Sequence, residues 1–123
     1  MQNQNSKVKT ELKYRAYRHS IKVIEFIDEL PKDTSTSVIS KQLLRSATSI
    51  GANVVEAKGA SSKKDFANFF TYALKSANES LYWLGLLRDA KKINNSSIDD
   101  LIKETQELAN ILGSSLLTLK GKR

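Results

Sequence analysis

The 123-residue chain predicts an all-α fold, an antiparallel up-down-up-down four-helix bundle. Three observations carry that expectation. Four segments repeat apolar residues at spacings of three and four. Short polar breaks separate them, around Pro31, Gly59 and Asn94 to Ser96. No stretch alternates apolar and polar residues over the length of a strand.

The elements follow in chain order. Residues 1–10 read as a flexible basic tail, and 11–123 as a single bundle domain. In the first helix Leu12, Tyr17, Ile21, Ile24, Ile27 and Leu30 recur at helical spacing, and Pro31 closes it. The loop PKDTSTS holds several N-cap candidates, and the second helix begins near Thr36. There Ile39, Leu43, Ala47, Ile50, Val54 and Ala57 form an apolar stripe. Arg45, Ser49, Asn53 and Glu56 form a narrow polar one beside it. Ala47, Ser49, Gly51 and Ala52 add little bulk, so a neighbouring helix can approach closely. Such packing offsets the roughly 0.5–1 kcal/mol that a mid-helix Gly costs relative to Ala. Gly59 suits a left-handed C-cap.

Ser62, with Asp65 three residues on, caps a third helix that runs to about Lys92. Phe66, Phe70, Ala73, Ala77, Leu81, Leu84 and Arg88 share one side of it. Ser96 or Ser97 caps a fourth, on which Ile98, Leu101, Thr105, Leu108, Leu112, Ser115 and Leu119 keep the same period. The third helix also carries a second stripe of Tyr72, Ser76, Glu79, Trp83, Leu86 and Ala90. Two readings stand. Tyr72 and Trp83 cover the rim of the bundle core, or Tyr72, Trp83 and Leu86 form a subunit interface, where such aromatics are enriched. Pairing antiparallel helices about turns near residues 60 and 95 brings both Arg45 and Asn110 within about a turn of Glu79. A partly buried Arg45–Glu79 pair with Asn110 beside it is expected.

Composition bounds the chemistry. The chain has no Cys, hence no disulfide framework, and suits a reducing cytoplasm. Its opening, MQNQNSKVKT, lacks the apolar core of a signal peptide, and no run approaches the ~18 apolar residues of a membrane span. The single His, His19, lies between Arg18 and Ser20 and reads as a solvated helix residue. There is no nucleophile–base pair, no Glu-x-x-His pair for a di-metal bundle and no Gly-rich phosphate loop. The chain reads as non-enzymatic, with no metal and no cofactor.

The run Ser49-Ile50-x-x-Asn53-Val54-x-Glu56, then Ser62, Asp65-Phe66, Ala73-Leu74, Glu79 and Tyr82-Trp83-Leu84, resembles the family of 23S ribosomal RNA intervening-sequence proteins. The resemblance extends from about Tyr14 to Leu119. Many members carry Gly directly after the Glu, where this chain has Ala57. It implies an all-α bundle whose motif residues here are Arg45, Ser49, Asn53, Glu56 and Glu79, and assembly into a ring-like homo-oligomer, a pentamer. Similar bundles serve as basic accessory proteins in diversity-generating retroelements, which implies nucleic-acid binding. The family name records where some members are encoded.

Charge adds a location. The net charge is +7. The bundle topology gathers Lys7, Lys9, Lys13, Arg15, Arg18, Lys58, Lys63, Lys64, Lys120, Lys122 and Arg123 at one end. Against these eleven bases stand Glu11, Glu56 and Asp65. The end is either simply solvated or a low-specificity site for RNA or DNA phosphates, with few aromatics for base readout. The alternative function is an oligomeric scaffold that acts through protein contacts only.

Overall fold

The computed structural model describes the backbone of residues 4–121 and the side chains of residues 12–121. The expected tail, with Lys7 and Lys9, lies outside the described side chains, as do Lys122 and Arg123. Among the described residues there are four helices and no strand: α1 (Gln4–Asp28), α2 (Thr34–Lys58), α3 (Lys63–Asp89) and α4 (Ser96–Leu119).

Three of the helices start on side-chain caps. The Asp33 carboxylate accepts from the Thr36 backbone N–H at 3.3 Å and from its hydroxyl at 3.0 Å. Ser62 Oγ accepts from the Asp65 N–H at 3.0 Å, as the sequence predicts. Asn95, rather than Ser96 or Ser97, caps α4, accepting from the Ile98 N–H at 3.0 Å. Asp33 does a second job. Lys91 Nζ lies 2.9 Å from its carboxylate and ties the start of α2 to the end of α3. That hydrogen bond, with those from Thr36, holds the Asp33 carboxyl well below its ordinary range.

The helix ends correct two expectations. Gly59 is not left-handed; at φ −91° it closes α2 with tight bonds, Gly59 N–H to the Glu56 carbonyl at 3.0 Å and Ala60 N–H to Ala57 at 3.1 Å. Bonds to the third residue back satisfy the last carbonyls without positive φ. The third helix stops at Asp89, short of Lys92, because Lys92 itself takes the left-handed conformation at φ 59°. The reversal brings the Ile93 N–H to the Leu87 carbonyl at 3.1 Å and Ile93 onto the core.

The core has two layers. One joins Leu12 and Ala16 of α1, Ile50 to Ala57 of α2, Phe70 to Ala77 of α3 and Leu108 to Leu116 of α4. The other joins Val23 to Leu30, Leu43 and Ala47, Leu84 and Leu87, and Ile98 and Leu101. First halves of α1 and α3 thus meet second halves of α2 and α4, and the reverse holds in the second layer. Helix direction alternates up-down-up-down, and each helix packs on its two neighbours in the ring α1–α2–α3–α4.

The stripe expected on α2 is the one it buries, apart from half-buried Ile39. On α1 the expectation holds only in part, with Ile27 half-buried against the second layer. Leu12 and Leu30 are buried, but Tyr17, Ile21 and Ile24 face solvent, and the core face runs Leu12, Ala16, His19, Val23, Phe26, Leu30. Small Ala16 on that face lets α1 approach α2. A Cβ built on Gly51 lies 3.5 Å from the Ala16 Cβ, an ordinary contact distance. The helices are close there, yet a methyl group fits.

Candidate nucleic-acid interface and the polar seams around it

The alternating topology places the start of α1, the α2–α3 connection and the end of α4 at one end of the bundle. Lys13, Lys58, Lys63, Lys64 and Lys120 gather there, all exposed. Lys58 lies in the last turn of α2, where the helix dipole favours a cation. Lys63 and Lys64 lie in the first turn of α3, where it disfavours one, and only Asp65 is acidic in that turn. The acids among the exposed and half-buried residues beside these lysines are Glu56 and Asp65.

Two bases expected at this end have other commitments. Arg15 is turned onto α4: its Nε lies 3.0 Å from Glu104 Oε2, and its Nη2 lies 2.6 Å from Glu104 Oε1 and 2.9 Å from Glu107 Oε2. Two carboxylates therefore neutralise it, and sequence arithmetic missed them because position along a helix does not give azimuth. Burial raises the Glu104 carboxyl, but hydrogen bonding and charge from Arg15 outweigh it and hold that group below its ordinary value. Arg18 stacks on the Tyr14 ring, 5.3 Å from its centroid. A groove of about 1110 Å³ runs along this α1–α4 side, lined by Arg15, Arg18 and Lys22 of α1 and by Asp100, Glu104 and Glu107 of α4. Its lining carries four bases against five acids, so it does not extend the basic end.

At the floor of the groove, His19 overturns its solvated reading. It is buried, with Nε2 2.7 Å from Thr105 Oγ1. Burial pushes the imidazole pKa down to about 4, against the pull of Glu104 and with a small push from Lys22. The one signal in the sequence was its i+3 and i+4 spacing to Ala16 and Val23, both of which pack inside.

The motif residues occupy the α2–α3 face. Arg45 Nη2 pairs with Glu79 Oε2, as the register predicts, and also donates to Gln42 Oε1 at 3.2 Å. The pair is not buried: the Arg45 side chain is 59% exposed and that of Glu79 34%. Asn110 is exposed and accepts from Gln106 Nε2 at 3.0 Å within α4. Ser49 and Asn53 bond back to their own helix, Ser49 Oγ to the Arg45 carbonyl at 2.7 Å and Asn53 Nδ2 to the Ser49 carbonyl at 2.8 Å. Glu56 is exposed.

The same Glu79 oxygen accepts from the Trp83 indole N–H at 2.8 Å. Trp83 is half-buried against the second core layer, with Tyr82 edge-on at 5.1 Å. Leu86 is half-buried and Tyr72 exposed. Among the described residues no group of three His, Cys, Asp or Glu could hold a metal ion, and no helix is long and apolar enough to cross a membrane.

Comparison with known proteins agrees with this architecture. A family described as 23S rRNA-intervening sequence protein matches residues 9–114. A Bacteroides thetaiotaomicron protein of unknown function from the S23 ribosomal protein family, known from its crystal structure, is 35% identical. The similarity covers 85% of this chain and 97% of that one, with a TM-score of 0.79. No curated protein matches. The family match takes in most of all four helices and the Arg45–Glu79–Trp83 face, and the chain belongs to the 23S rRNA-intervening sequence protein family.

Proposed function

We propose that the protein is a non-enzymatic accessory bundle of the cytoplasm that holds RNA or DNA by its phosphate backbone at the basic end. The observation that carries this reading is the group of five exposed lysines, two of them in the first turn of α3. Helix stability does not select cations there, whereas an incoming phosphate gains from both the lysines and the helix dipole. Tyr14 is the nearest exposed aromatic and is already stacked by Arg18, so base readout is slight.

A ring-like homo-oligomer, a pentamer, repeats this end around an axis and sums its potential. Tyr72, Trp83 and Leu86 on α3 are the proposed contacts, with Trp83 oriented by Glu79. The exposed Tyr72 and Tyr82 also favour the second reading, a scaffold that works through protein contacts alone.

Titrating labelled duplex RNA and DNA across about 50–200 mM salt separates the two. Backbone binding gives an affinity that falls steeply and linearly on logarithmic axes. No binding, together with a stable oligomer, supports the scaffold.

A further inference from the structure

The apolar stripe that α1 leaves outside the core is itself ordered. Tyr14, Tyr17, Ile21 and Ile24 recur at spacings of three, four and three and are 61%, 67%, 40% and 43% exposed. This is the pattern of a coiled-coil seam, with Tyr14 and Ile21 at a and Tyr17 and Ile24 at d. The seam continues onto α2. Leu44 and Val55 are exposed there, seven residues before and four after Gly51, on the flank that approaches Ala16 of α1. Single exposed apolar residues are ordinary, but six on one face mark a contact surface.

The charges beside the seam select its partner. The exposed bases Lys13, Arg18 and Lys22 precede the exposed acids Glu25, Asp28 and Glu29 along α1. A helix polarised in this way complements a reversed copy of itself. Antiparallel pairing sets Tyr14 against Ile24 of the second copy and Tyr17 against Ile21, a on d. It also sets the e-position Arg18 opposite Glu25 of the other chain, twice by symmetry. Parallel pairing sets Lys13 against Arg18, like charge on like. The stacking of Arg18 on Tyr14 already holds its guanidinium beside the seam.

We propose that the exposed seam of α1 is a two-fold self-association surface, on which α1 of a second copy of this chain packs antiparallel. With Leu44 and Val55 from each chain, the contact removes on the order of 1,000 Å² from water, enough for a specific interface. The surface adjoins the basic end at Lys13 and Tyr14 but runs away from it along α1, and it shares no residue with the Tyr72–Trp83–Leu86 stripe, so it goes beyond the function proposed above.

Sedimentation equilibrium on the full chain tests it. Arg18→Glu and Glu25→Arg each weaken the two-fold contact roughly tenfold, and the double variant restores it. Because the chain has no Cys, cysteine variants report the geometry directly. Tyr14→Cys mixed with Ile24→Cys forms a disulfide dimer on oxidation, and Tyr14→Cys alone does not. These side chains are exposed, so helicity by circular dichroism stays at the wild-type value. Failure of the charge swap to restore association, cross-linking of Tyr14→Cys to itself, or a monomer at every concentration overturns the proposal. So does an oligomer lost with Trp83→Ala but indifferent to Arg18→Glu; that result leaves the α3 contacts standing.

Discussion

His19 of α1 and Thr105 of α4 share a buried hydrogen bond of 2.7 Å across the helix pair that closes the bundle. Its direction follows from proton count. The Thr105 hydroxyl donates its one proton to the Leu101 carbonyl at 2.6 Å, so it accepts from His19 Nε2. The ring is therefore the neutral Nε2–H tautomer.

This pair makes the fold sensitive to acid. An unfolded His titrates near 6.5, and the folded one titrates at about 4. Between those values the unfolded chain binds the extra proton. The contribution of His19 is therefore complete above about pH 6.5 and is lost as pH falls toward 4, by as much as ~3 kcal/mol. Urea melts from pH 7 to 4.5 should show the decline, and His19→Leu should remove its share of it. An imidazole that titrates near 6.5 by NMR contradicts the buried, neutral ring.

The two interhelical arginine pairs should differ in worth. Arg45→Ala breaks an exposed pair and should cost about 0–1 kcal/mol. Arg15→Ala removes a forked contact from the half-buried Glu104 and should cost more, about 1–2 kcal/mol. Chemical denaturation of the two variants side by side checks the order. Equal losses would show that exposure does not set the difference.

Lys92 holds a left-handed backbone that glycine adopts freely. Its side chain is exposed, so little contact is lost on removal. Lys92→Gly should stabilise the chain by about 1 kcal/mol, read as a rise in melting temperature. A lower melting temperature would mean that the Lys92 side chain contributes more than the strain costs.

How far the sequence reveals the fold depends on the kind of question asked of it. Period and punctuation define four helices, and the sum of positions across a turn finds Arg45 opposite Glu79. Azimuth is harder. Helix α1 carries two stripes at helical spacing, and the bulkier one, through Tyr17, Ile21 and Ile24, lies outside. The true core face uses Ala16 and His19, whose small size and polarity hide it from a count of large apolar residues. Arg15 is misread for the same reason, because its neutralising carboxylates lie on a helix almost ninety positions away. Gly59 shows that a residue able to adopt positive φ need not do so when tighter bonds satisfy the helix end.

The central claim, phosphate binding at the basic end, is tested most directly by a single variant carrying Lys58→Glu, Lys63→Glu and Lys64→Glu. All three positions are exposed, and what the last turn of α2 loses with Lys58→Glu is offset by what the first turn of α3 gains from two acids, so the bundle should melt at or near the wild-type temperature. Affinity for duplex RNA or DNA should fall at least about a hundredfold, and the magnitude of the salt slope should drop by about three, one for each lost phosphate contact. An unchanged affinity with an unchanged slope would contradict the assignment.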